Sequence, residues 1–83
     1  MTKPEVIGYY MGFELHKSEY REERHPQYNY LGYSAIRGKY YIQVKYTDLE
    51  IRTIPIEILF LKFIQHLDRF ISENINGITN EVH

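Results

Sequence analysis

The amino-acid sequence predicts an α+β domain: an antiparallel meander of three to four strands with one C-terminal α-helix packed on one face. Large apolar side chains occupy alternate positions from Ile7 to Leu15, and two further alternating runs lie within residues 28–52. Residues 54–76 carry apolar side chains at helical spacing instead. Because 83 residues are too few for two separate cores, a single domain over 1–83 is predicted.

The first strand is predicted over residues 5–15, because large apolar side chains occupy every second position from Ile7 to Leu15. A strand of this pattern buries one face, and Tyr10, in the other set, is expected on the outer face of the sheet. The next segment, 16–27, is rich in Lys, Arg, Glu and His and has no aliphatic side chain, which predicts a charged, solvated loop.

The next two strands are predicted over residues 28–36 and 39–47, as the two arms of a hairpin. Glycine readily adopts the positive φ of a tight turn, so the turn is expected at Arg37-Gly38. The apolar side chains of both arms then gather on one face, which comprises Leu31, Tyr33, Ala35, Tyr40, Ile42, Val44 and Tyr46.

The position of this turn also fixes the register of the hairpin, because it pairs Ala35 with Tyr40. A slip of one residue would exchange the two faces of the strand, and only the register above separates the aliphatic side chains from the polar ones. A second turn at Thr47-Asp48 leads into a short fourth strand, predicted over 49–52.

The helix is predicted over residues 54–76. Thr53 is expected to cap its N-terminus, and Pro55 is tolerated in the first turn, where its missing N–H needs no partner. Gly77 is expected to end the helix, since glycine enters the left-handed conformation easily. Residues 78–83 then form a tail that is expected to fray.

Apolar side chains occupy two sides of this helix. At about 100° per residue, most of them fall on one broad arc that is expected to pack on the sheet. This arc comprises Ile56, Leu59, Phe60, Phe63, Ile64, Leu67, Phe70 and Ile71. Ile54, Ile58 and Leu61 project from the reverse side at i, i+4, i+7 spacing, where solvent would otherwise be expected.

Composition excludes several classes of function. A net charge of −1 argues against broad electrostatic capture of nucleic acid or of an anionic membrane. The chain has no cysteine, which removes disulfides and thiolate zinc sites. No stretch has the unbroken apolar run of a signal peptide or a membrane span, so we expect a cytoplasmic protein with no membrane partner.

The second apolar stripe on the helix favours protein association. Ile54, Ile58 and Leu61 are expected to form a contact with a second copy of the chain, giving a homodimer, or with another protein partner. The main hypothesis is therefore a small non-catalytic interaction module, with an accessory regulator or inhibitor as the role that suits it.

Binding of single-stranded nucleic acid is the alternative. Aromatic rings flanked by cations on an open sheet face can stack bases and contact phosphates. The residues that would do so here are Tyr10, Tyr30, Tyr41, Lys45, Arg37 and Lys39. The low net charge weighs against this hypothesis, because a phosphate backbone needs several cationic contacts.

A small enzyme with an unrecognised site is the second alternative. The sequence contains no phosphate-binding glycine loop and no recognisable nucleophile–histidine–acid pattern. His16 and His25 share the charged segment with several glutamates, but nothing in a solvated loop would pre-organise them around a metal ion. We therefore predict no catalytic residue, no metal and no cofactor.

Overall fold

The computed structural model describes residues 4–76. It has a four-stranded antiparallel sheet with a C-terminal helix on one face. The strands lie side by side in chain order, so the predicted α+β meander is confirmed. The elements are β1 (Glu5–Tyr10), β2 (Phe13–Tyr20), a short 3₁₀ turn (Pro26–Tyr28), β3 (Tyr30–Arg37), β4 (Tyr40–Thr47), α1 (Asp48–Thr53), α2 (Ile56–Ile71) and a final π turn (Ser72–Asn76).

The prediction of one strand over 5–15 is wrong, because the chain reverses at Met11-Gly12 and forms the β1–β2 hairpin. Both turn residues have positive φ, +51° and +83°, as in a type I′ turn. The charged loop predicted over 16–27 is consequently wrong in its first part, since β2 continues to Tyr20. A two-residue turn places Tyr10 opposite Phe13, so the alternation changes phase there.

The predicted hairpin of β3 and β4 is present, but its turn lies one residue later, at Gly38-Lys39. Gly38 has a φ of +58°. The register is therefore shifted by two residues, so that Ala35 pairs with Ile42 instead of Tyr40. A shift of two preserves the side-chain alternation, and the predicted apolar face is the one that the helix covers.

The predicted fourth strand over 49–52 is wrong, because these residues belong to α1. Thr47 caps this helix: its side chain accepts a hydrogen bond from the Glu50 backbone N–H, and the Glu50 carboxylate accepts one from the Thr47 N–H at 2.9 Å. This reciprocal capping box satisfies two backbone donors and starts a helix directly at the end of β4.

The main helix, α2, begins at Ile56, two residues later than predicted, with Pro55 in the capping position assigned to Thr53. Leu59, Phe63 and Leu67 lie at successive helical turns and are fully buried against the sheet. The predicted helix stop at Gly77 and the tail 78–83 lie outside the described residues. None of the helices within residues 4–76 combines the length and the apolar character of a membrane span.

Candidate interaction surfaces

The reverse side of α2 keeps two of the three predicted contact residues. Ile58 is 42% exposed and Leu61 is 53% exposed, and they lie one helical turn apart. Ile54 does not join them: it has an extended backbone between α1 and α2, and its half-buried side chain packs against the core. We call Ile58 and Leu61 the α2 patch.

An open groove of about 460 Å³ lies beside the α2 patch. Its lining comprises Tyr33, Ile56, Glu57, Phe60 and Leu61. The sequence analysis assigned Ile56 to the buried arc, yet its side chain is 43% exposed.

β2 presents charged side chains next to Tyr33, one of the residues that line the groove. Past the buried Leu15, the next positions on the core-facing side of β2 are Lys17 and Glu19, and Lys17 pairs with Tyr33. These two charged side chains approach each other at 3.9 Å. An apolar side chain at either position could extend the core, but a charged one keeps its head group in water. The groove thus lies beside a strand pair whose core-facing side changes from apolar to charged, which the helix sequence alone does not reveal.

Two charged residues flank the α2 patch. Glu57 precedes Ile58 and Lys62 follows Leu61, and both are exposed. The ion pairs of the described residues involve neither of them. The patch is thus a short apolar strip with one free anion and one free cation on its two sides.

The tyrosine-bearing surface predicted for nucleic acid is divided between the two faces of the sheet. Tyr30, Tyr41 and Lys45 lie on the outer face, away from α2. Tyr10 lies on the core side, where its hydroxyl donates a hydrogen bond of 2.7 Å to the Asp68 carboxylate on α2. The prediction for Tyr10 is therefore wrong, and the cause is the change of phase at the β1–β2 turn.

The two predicted rim cations also point toward the core side. The Arg37 guanidinium lies 5.9 Å from the centre of the Phe13 ring and donates a hydrogen bond to the Met11 carbonyl oxygen at 3.3 Å. The Lys39 ammonium lies 5.7 Å from the centre of the Tyr40 ring. Both cations are therefore held at the hairpin end of the sheet and do not flank the outer-face tyrosines.

The remaining outer-face aromatics do not form a continuous stacking platform. Tyr30 pairs with Thr47 at one end of the β3–β4 hairpin, and Tyr41 pairs with Ile36 near the other. Six residues along a strand separate their positions by about 20 Å. The ammonium of Lys45 lies 4.7 Å from the centre of the Tyr30 ring, so this cation already has an aromatic partner within the chain.

Two buried tyrosines have a structural role in the core. Burial raises the pKa of Tyr33, with a smaller contribution from Glu19. Burial likewise raises the pKa of Tyr46, with smaller contributions from Glu50 and Tyr33. Their hydroxyls therefore remain protonated near neutral pH, and their rings pack edge to face with centres 6.4 Å apart.

A second, polar cleft of about 560 Å³ lies between the β2–β3 connection and α1. Asn29 crosses it: its side-chain oxygen accepts the Glu22 backbone N–H at 2.6 Å, and its amide donates to Asp48 at 3.2 Å. Asp48 also pairs with Arg52 at 2.9 Å. These contacts tie the connection to the helix, which accounts for the polar side chains of the cleft.

Comparisons with protein-family models, with curated proteins and with solved structures found no match to this chain. The function is therefore argued from the geometry of the surfaces described above.

Proposed function

We propose that this chain is a small non-catalytic interaction module that associates with a second copy of itself through the α2 patch. The observation that carries this proposal is the exposure of Ile58 and Leu61, at 42% and 53%, on a helix whose opposite side already fills the core. Two neighbouring aliphatic side chains left in water on a rigid element favour a contact surface. An accessory role, as regulator or inhibitor of another assembly, suits such a module.

The size of the patch sets the strength of the association. Burying an exposed aliphatic side chain completely contributes about 1.5–3 kcal/mol. Two half-exposed side chains from each copy therefore contribute about 3–6 kcal/mol in total. Because association costs an estimated 4–15 kcal/mol, we expect a weak dimer whose population depends on protein concentration. Side chains beside the patch would have to add contact area.

Binding of nucleic acid is the less supported function, because the predicted tyrosines and cations are divided between the two faces of the sheet. Only Lys45, of the three predicted cations, accompanies the outer-face tyrosines, and its charge lies over Tyr30. A strand of nucleic acid that crossed this face would meet two separated rings and few positive charges, which is a poor match to its backbone.

Light scattering coupled to size exclusion tests the self-association. The chain mass is 10.1 kDa, and we expect the measured mass to rise toward twice this value as the protein concentration increases. The variant Leu61→Glu should remain a monomer with an unchanged circular dichroism spectrum, because a dimer would bury its charge. The matched control is Leu49→Glu, which places the same charge at a 63% exposed position on α1 and should behave as the wild type does.

Two results would contradict the proposal. A wild-type protein that remains a monomer up to about 1 mM would exclude self-association of useful strength. A dimer that Leu61→Glu and Leu49→Glu leave equally intact would show that the contact lies elsewhere on the molecule.

A further inference from the structure

We infer that the second copy docks on α2 in parallel and in register, with two reciprocal ion pairs between Glu57 of one copy and Lys62 of the other. This inference rests on the proposed self-association through the α2 patch and specifies its partner surface. In this arrangement Ile58 packs against Ile58 of the second copy, and Leu61 packs against its equivalent.

The spacing of four residues on α2 carries the inference. Four residues of the continuous helix Ile56–Ile71 occupy consecutive g, a, d and e positions of a heptad pattern: Glu57, Ile58, Leu61 and Lys62. Isoleucine at a and leucine at d is the combination that favours two parallel strands. The α2 patch is therefore one heptad of a dimer seam, on the side of α2 that faces away from the sheet.

Charge decides between the parallel and antiparallel orientations. In a parallel pair, a g residue faces the e residue five positions later on the other helix, and Lys62 follows Glu57 by five. In an antiparallel pair, the g residue instead faces the g residue of the other helix, and the e residue faces its e residue. Glu57 would then approach Glu57, and Lys62 would approach Lys62, which is unfavourable. Only the parallel orientation gives both charges a partner of opposite sign.

The same helix also limits the length of the seam. The next a and d positions are Gln65 and Asp68, and the Asp68 carboxylate accepts a hydrogen bond from Tyr10 in its own chain. Two Asp68 side chains facing each other would repel, so the helices are expected to diverge after Gln65. Toward the N-terminus, the seam cannot extend beyond Ile56, because Pro55 and the extended Ile54 precede the helix. The contact therefore spans about two helical turns, and the dimer has its two helices between two outer sheets.

Charge reversal tests the orientation. We expect Glu57→Lys and Lys62→Glu each to weaken the dimer about fivefold or more, because each replaces two attractive pairs by two repulsive ones. The double variant Glu57→Lys/Lys62→Glu restores both pairs and should bring the dissociation constant, measured by sedimentation equilibrium at low salt, back to within about twofold of the wild type. An antiparallel dimer predicts no loss in either single variant, since like charges already face each other there.

Disulfide trapping provides a second measurement. The chain has no cysteine of its own, so Gln65→Cys introduces a single thiol at the next a position of the seam. A parallel, in-register dimer brings the two thiols together and should form a disulfide-linked dimer rapidly, whereas the control Leu49→Cys should not. If Leu61→Glu dissociates the dimer but charge reversal has no effect and Gln65→Cys does not cross-link, the orientation is wrong and the proposed function stands. If the wild type is a monomer, the proposed function itself fails.

Discussion

Met11 offers a direct test of the turn that divides the predicted first strand. Its φ of +51° lies in the left-handed region, which costs a residue other than glycine about 1–2 kcal/mol. Asparagine tolerates this conformation, and Asn-Gly is the residue pair preferred in type I′ turns. Alanine has no such tolerance. We therefore expect the variant Met11→Asn to be more stable than Met11→Ala by about 1 kcal/mol.

The comparison between these two variants removes the contribution of the methionine side chain. That side chain is 57% exposed, so both substitutions lose the same partial burial. The hydrogen bond from Arg37 reaches the Met11 carbonyl oxygen, which both variants retain. The difference between them therefore reports mainly on the backbone conformation.

Urea unfolding followed by circular dichroism measures this difference in the free energy of unfolding. Both variants are made in a Leu61→Glu background, so that dissociation of a dimer does not contribute to the measured value. In thermal unfolding of a chain of 83 residues, the same difference of about 1 kcal/mol corresponds to a shift of about 4–8 °C in the melting temperature. Equal stability of the two variants, within about 0.3 kcal/mol, would mean that position 11 does not adopt a left-handed backbone and would refute the hairpin described here.

Two further predictions concern the capping of α1 and the buried tyrosines. The variant Thr47→Ala should lower the free energy of unfolding by about 1 kcal/mol in urea titrations, because it removes the side chain that caps α1, and an unchanged value would contradict the capping box. Stability should also fall above pH 10: burial raises the pKa of Tyr33 and Tyr46, so the folded state keeps protons that the unfolded chain loses near its usual tyrosine pKa of about 10. The contribution is complete below that pH and disappears as the pH rises through the folded-state values. Urea titrations between pH 8 and 11 would show it, and a flat profile there would contradict the burial of these two side chains.

The fold class could be predicted from the sequence because the pattern of apolar side chains tolerates local errors. Placing the second turn at Arg37-Gly38 instead of Gly38-Lys39 shifted the register by two residues and left every side chain on its face. The first turn could not be located in the same way. Met11-Gly12 lacks the usual asparagine or aspartate, and adjacent tyrosines at 9 and 10 fit an alternating pattern in either phase.

The capping box at the start of α1 is a signal that the sequence does contain. Thr47 is followed three residues later by Glu50, which is the expected spacing for a reciprocal cap. The apolar residues of 49–52 are too few to distinguish a short strand from a single helical turn by periodicity. The cap therefore decides the structure of this segment, and its spacing in the sequence favours a helix over the predicted fourth strand.

The predicted contact residues on α2 depended on how far the helix extends. Placing Ile54 on the same stripe as Ile58 and Leu61 assumed one continuous helix, but the chain is extended at Ile54, before Pro55. The exposure of Ile56 could not be found from the helix at all, because its position in the helical pattern is the same as that of the buried Leu59 and Phe63. Patterns within one element thus predicted the α2 patch, whereas its surroundings depend on the pairing of strands.

The free edges of the sheet offer a competing route to a dimer. β1 has a bulge between Val6 and Gly8, which disfavours pairing with another strand. β4 forms a regular ladder with β3, and the strands of residues 4–76 leave its other side unpaired. In a hairpin with a two-residue turn, the backbone groups of Tyr41, Gln43 and Lys45 point away from β3. A second β4 could therefore pair with them.

The charges on α2 argue against that arrangement. Phe70 contacts Tyr40 of β4 with ring centres 5.9 Å apart, while Asp68 contacts β1, so the two sides of the helix can be assigned to the two edges of the sheet. At about 100° per residue, Lys62 and Arg69 lie toward the β4 side. Pairing two β4 edges would place the two helices next to each other, with the cations of one copy facing those of the other. This repulsion is unfavourable in water and becomes stronger when the contact excludes water. The α2 patch carries no such penalty, because a parallel contact there gives Lys62 an acidic partner.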